Sequence, residues 1–217
     1  MAKHYKLTKI IIAILLFSGF VLHFLRLAFP PEIGYPAGYQ YITVTSVVAF
    51  NVITFPFIFL FGGRMWRNYM FFMGILTGLV GIVFTAIDKV TFDFNTICFF
   101  VTALITIVAA ILMVVLGHHR VDWRFAVLAP FVWLIVLGVV IVNNVILAYA
   151  GVISGDIPTI LSDLALPIFP SLHIGFILLL EIGAYCLISF ILGIAFDFKN
   201  FKRFRGTRKL SKIKADT

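Results

Sequence analysis

Charge is what this sequence has least of. Asp, Glu, Lys and Arg make up 12% of its 217 residues, against roughly a quarter in soluble globular domains, and this shortage excludes a water-exposed fold. Cysteine is nearly absent: Cys98 and Cys186 both fall inside apolar runs, which argues against a structural disulfide and leaves the redox compartment unassigned. No segment alternates apolar and polar residues as the strands of a membrane barrel do. Nor is there an internal repeat, or a low-complexity segment ahead of the C-terminal tail.

What is present is apolar length. Hydrophobic residues reach 62% and the mean hydropathy is +1.12. A helix needs about 20 apolar residues to cross a hydrocarbon layer roughly 30 Å thick. Six runs meet or approach that length: Thr8 to Ala28, Tyr39 to Phe61, Asn68 to Ala86, Phe94 to Leu116, Phe125 to Tyr149 and Pro167 to Phe196. The first is too long, and too poor in small residues at its end, to read as a cleaved leader. The expected architecture is all-α: a six-helix transmembrane bundle over residues 1–198 with a basic tail over 199–217. Within it, Gly74 and Gly78 form a G-x-x-x-G strip, with Gly81 one turn further, that invites close packing of another helix of the same chain.

Orientation follows from the basic residues. On one side fall Lys3, Lys6, Lys9, Arg64, Arg67, Arg120, Arg124 and the tail residues Lys199, Lys202, Arg203, Arg205, Arg208, Lys209, Lys212 and Lys214; the other side holds only Arg26 and Lys89. By the positive-inside rule both termini are expected in the cytoplasm of a plasma-membrane protein. Phe198, Phe201 and Phe204 interleave with the tail charges at a spacing that fits one helical face. This reads as a surface helix on anionic headgroups rather than a nucleic-acid arm.

Polar residues inside apolar runs are costly and mark partners or cavities. His23, Cys98, Asn143, Asn144 and His173 fall toward the outer ends of their runs, while Asn51 and Glu181 lie deeper. Together they outline an outward-facing polar cavity with Glu181 at its floor. The competing structural reading gives each histidine or asparagine a local hydrogen bond and gives Glu181 one neighbour such as Asn51. A thiol and base pair of Cys98 with His173 is the weakest of these readings, and no metal or cofactor set appears.

Pro170, Ser171 and His173 resemble the Pro-Ser-x-His segment of PAP2-type membrane phosphatases. The chain has no Arg-Pro pair and no histidine after His173, so the nucleophile of that chemistry is missing, and Ser171 reads as a helix cap.

A broader likeness runs through "YITVTSVVAFNVITFPFIFLFGGRMWRNYMFFMGILTGLVGIVF" (41–84), "VNNVILAYAG" (142–151) and "HIGFILLLE" (173–181). With Pro56 late in one helix, a basic turn, and an aromatic lead into a glycine-rich helix, these segments resemble the YwaF-type family of bacterial integral membrane proteins. That family's eukaryotic relatives include a Cys-dependent acyltransferase. Ser46 and Val48 stand where its reactive histidine and cysteine would fall, so the resemblance implies a multi-pass membrane protein but assigns no catalytic residue here. The function expected is non-covalent binding of a lipid or small amphiphile. The alternatives are a substrate-binding subunit or small transporter, and an acyltransferase-like or lipid-modifying enzyme.

Overall fold

The computed structural model of the protein describes residues 2–28, 47–87, 94–150 and 174–197. Among them are six α-helices and no strand: α1 (Ala2–Ala28), α2 (Val47–Phe61), α3 (Arg64–Ile87), α4 (Phe94–Val115), α5 (Phe125–Tyr149) and α6 (Ile174–Phe196). An apolar chain in lipid has no water to satisfy its backbone, so each run closes its own N–H to C=O bonds as a helix. Helix α1 begins six residues before its apolar run, extending through Lys3 and Lys6. Helix α3 likewise takes in Arg64 and Arg67 ahead of Asn68.

Among the described residues four segments are long and apolar enough to cross a membrane: His4–Leu25, Ile97–Val115, Phe125–Tyr149 and Gly175–Phe196. Helix α2 is equally apolar but shorter, at 15 residues. Large side chains such as Ile14 on α1, Leu104 on α4, Ile135 on α5 and Leu179 on α6 point away from the protein. In water such a surface would drive aggregation; against acyl chains it is the ordinary outer face.

Helix α3 is the hub. Every residue from Asn68 to Gly78 is buried, about three turns with no outward face, because α2, α4, α5 and α6 all pack around it. Its glycine strip meets α4. A Cβ at Gly78 would stand 2.6 Å from Ile107 Cγ1 and 3.0 Å from the Ala103 carbonyl oxygen, and one at Gly74 would stand 3.3 Å from Ala110 Cβ. The strip is thus an intramolecular contact, as its spacing suggested. Helix α1 packs on α2 and α4, whereas α6 touches only α5 and α3 among the described residues. The bundle therefore has two sides, α1 with α2 and α4 on one and α5 with α6 on the other.

Candidate functional site

These two sides divide the polar residues that the sequence singles out. His23, Asn51 and Cys98 belong to the α1, α2 and α4 side and are all buried, while Asn143, Asn144 and Glu181 belong to the α5 and α6 side. His173 and the tail residues Lys199, Lys202, Arg203, Arg205, Arg208, Lys209, Lys212 and Lys214 lie outside the described residues.

On the first side, Asn51 is closed into a network within the α2–α3 hairpin. Tyr69 donates its hydroxyl to Asn51 Oδ1 at 2.9 Å, Asn51 Nδ2 donates to Thr77 Oγ1 at 3.0 Å, and Thr77 donates to the Met73 carbonyl at 2.6 Å. Asn51 is thus bonded within α2–α3 and is not the neighbour of Glu181: α6 makes no contact with α2 among the described residues. Phe57 lies edge-on to Phe17 and Phe20, at 5.9 and 6.2 Å between ring centres, which sets the α1–α2 register. His23, one turn beyond Phe20 toward the C-terminal end of α1, consequently comes within about a turn of the level of Asn51.

On the second side, Gly193 faces Ala126 and Trp123, and Trp133 meets Tyr185 edge-on at 4.7 Å. These contacts fix α6 antiparallel on α5. Glu181 stands one turn from Tyr185 toward the N-terminal end of α6, at the level of Leu137, which is one turn beyond Trp133 on α5. Its Oε2 is shielded from solvent. Asn144, two turns beyond Leu137, is 1% exposed. Asn144 and Glu181 therefore fall along one line, toward the C-terminal end of α5 and the N-terminal end of α6. A groove elsewhere, along Ile10, Ile14, Phe17 and Val21 of α1, is apolar.

At the opposite end lies a cluster that the sequence reading passes over. It builds on "GHHRVDWR", residues 117–124. Gly117, with φ of 75°, closes α4 in a left-handed conformation; its N–H bonds the Val114 carbonyl, and the His118 and His119 N–H groups bond that of Met113. This helix-ending motif suits glycine because it has no Cβ to clash, and it delivers two consecutive histidines to the end of the bundle.

His118 is buried, with Tyr5 at 4.3 Å and Phe59 at 6.0 Å between ring centres and its Nε2 2.8 Å from Thr8 Oγ1. His119 Nε2 lies 3.1 Å from Asn68 Oδ1, which also accepts the Asp122 backbone N–H at 3.2 Å. An oxygen already accepting from a backbone amide requires a donor, so His119 carries its proton on Nε2. Burial lowers the pKa of His118, helped by Lys9 and Arg67. For His119, burial followed by Arg67 and Arg64 brings it to about 4. Both imidazoles are neutral at physiological pH. Arg64 pairs with Asp122 at 2.9 Å, and Asp122 Oδ1 accepts the Arg124 N–H at the start of α5.

The adjacent histidines between two apolar runs are the signal that the sequence offered; only the neighbouring Arg120 and Arg124 enter the count of basic residues. Comparison with family models, with curated proteins and with solved structures finds no match for this chain. Among the described residues no group of three His, Cys, Asp or Glu side chains is placed to hold a metal ion.

Proposed function

We propose that the chain is a six-span plasma-membrane protein with both termini in the cytoplasm, whose α5–α6 seam opens outward and holds a lipid or small amphiphile without forming a covalent bond. The observation that carries this reading is Glu181, a carboxyl group within an apolar span whose Oε2 is sheltered from solvent at the α5–α6 contact. Ionisable groups at such depth are expensive and recur where a protein binds or moves a polar group. Asn144, buried further out along the same seam, supplies amide chemistry toward its mouth.

The six spans rest on the apolar run that precedes the described part of α2 and on the length of α3. The orientation rests on the basic asymmetry. Membership of the YwaF-type family belongs to the same proposal. Its covalent chemistry does not, because Ser46 and Val48 occupy the reactive positions and Cys98 is buried on the other side of the hub.

The test is the mass of what co-purifies in mild detergent, read by native mass spectrometry for the wild type, Glu181→Gln and Glu181→Leu. Gln keeps the shape and hydrogen bonding of a neutral acid. The expected result is a bound amphiphile in the wild type, lost in Glu181→Gln although that variant folds normally. An amphiphile retained unchanged by Glu181→Gln, or none in the wild type, would overturn the proposal.

A further inference from the structure

The end of the bundle opposite the Glu181 seam gathers Lys9 of α1, Arg64 and Arg67 of α3, and Arg120 and Arg124 of the α4–α5 turn. Among the described residues two carboxylates lie at this end. Asp122 is paired with Arg64, and Asp197 is buried at the close of α6. Arg67 has neither: the only ion pair among the described residues is Arg64 with Asp122. Its Nε is buried without a hydrogen-bond partner, although the backbone around it is bonded, its own N–H to the Gly63 carbonyl. A guanidinium N–H withdrawn from water and left unbonded is costly. The partner that satisfies a guanidinium fork best is an anion carrying several oxygens.

The two histidines sharpen this. Arg67 acts on both imidazoles, joined by Lys9 at His118 and by Arg64 at His119, so Arg67 is the cation common to the two rings. Asn68 and Thr8 hold the imidazoles in position through single hydrogen bonds. A positive potential that opposes a further positive charge on the imidazoles favours a negative charge beside them. Trp66, 44% exposed next to Arg67, and Trp123 next to Asp122 are the amphipathic rings expected at headgroup depth.

We propose that Arg67, flanked by Lys9, His118 and His119, forms an anion site at this end of the protein that takes a phosphate group, either from a phospholipid headgroup or from free phosphate. It is separate from the Glu181 seam, and neither proposal depends on the other.

The full chain is reconstituted in phosphatidylcholine nanodiscs, and the imidazole signals of His118 and His119 are followed by NMR in two arms, inorganic phosphate added to the buffer and phosphatidic acid added to the bilayer. A saturable shift is expected. If it appears with phosphatidic acid alone, the source is a lipid; if inorganic phosphate produces it and phosphatidic acid adds nothing, the source is free phosphate. Arg67→Gln should weaken the response about tenfold or more, while Arg120→Gln, which removes the same charge from an exposed position, should barely change it. Arg67→Lys keeps the charge without the planar fork and should fall between the wild type and Arg67→Gln, which also covers a Gln variant that folds poorly. No saturable shift in either arm, or equal losses in Arg67→Gln and Arg120→Gln, would overturn the proposal.

Discussion

Helices α1 and α6 form opposite flanks of the hub and are equally thinly covered, with 22% of each apolar window buried, so burial does not distinguish the two sides. The use of polar groups does. On the α1, α2 and α4 side, Asn51, Tyr69 and Thr77 bond one another, Thr102 and Thr106 bond carbonyls of their own helix, and the glycine strip brings α3 onto α4. On the α5 and α6 side, Glu181 and Asn144 lie along a contact that, among the described residues, α3 alone joins on both helices, and the Ser189 hydroxyl is buried without a partner. Satisfied networks rigidify a core, whereas an ionisable group within an apolar span recurs where a protein binds or moves a polar group. The first side is the scaffold; the second is where the proposed ligand sits.

The sharpest way to break this comparison is to widen the two sides separately. Gly78→Leu places a side chain where even a Cβ would stand 2.6 Å from Ile107 and 3.0 Å from a backbone oxygen. It should cost about 3 kcal/mol, the upper range for overpacking, or prevent folding. Gly138 on α5 has nothing within 4 Å of an added Cβ. Gly138→Leu should therefore be neutral, or stabilising by less than about 1 kcal/mol through helix propensity. Thermal unfolding in detergent measures both, and similar losses would mean that the close α3–α4 approach is not what makes Gly78 necessary.

Next in size is Asn51→Leu, which removes the acceptor of the Tyr69 hydroxyl and the donor to Thr77 in the core and should cost about 1–3 kcal/mol. Tyr69→Phe removes the other end of the same hydrogen bond, so the double variant should lose less than the sum of the two single changes. Strict additivity in that double-mutant cycle would deny the network a cooperative role.

How much of this was legible beforehand follows from where the information resides. The helices were readable because apolar length is a property of consecutive residues: Phe125–Tyr149 agrees with its run end for end, and the glycine spacing anticipated a close contact within the chain, though not that α4 makes it. The partnering of Asn51 with Tyr69 was not readable. It depends on how the Gly62–Gly63 turn sets two helices against each other, and Tyr69 looks like one more aromatic in "NYMFFMG". His118 and His119 were missed because their significance comes from Thr8 and Asn68, 110 and 51 residues away, and no local pattern encodes those distances.

The histidine cluster makes the scaffold side the pH-sensitive one. The His119 pKa falls from 6.5 to about 4 on folding, so the folded state binds fewer protons than the unfolded state between these values. Stability is then complete above pH 6.5 and declines as the pH falls toward 4. With solvent screening discounted, the His119 share is on the order of 1 kcal/mol. His119→Gln, which still offers a donor to Asn68, should flatten the pH dependence of thermal unfolding across this interval. Glu181→Gln should leave it in place, and an unaltered slope in His119→Gln would remove the histidine from the account.

The smallest expected effect tests the other side most directly. Ser189 on α6 is fully buried, and its hydroxyl has no hydrogen-bond partner. Ser189→Ala deletes a polar atom that already lacks a partner, so stability should change by no more than about 0.5 kcal/mol, and in the favourable direction if at all. The matched change on the scaffold side is Thr77→Val, similar in shape, which removes the acceptor of the Asn51 N–H and the donor to the Met73 carbonyl. It should be destabilising by about 1–3 kcal/mol. If the two variants, measured in the same detergent, lose equal stability, the contrast between a closed side and an open seam fails. If Ser189→Ala keeps its stability but loses the co-purified amphiphile, the hydroxyl is part of the binding seam, and the ligand reaches two turns inward from Glu181.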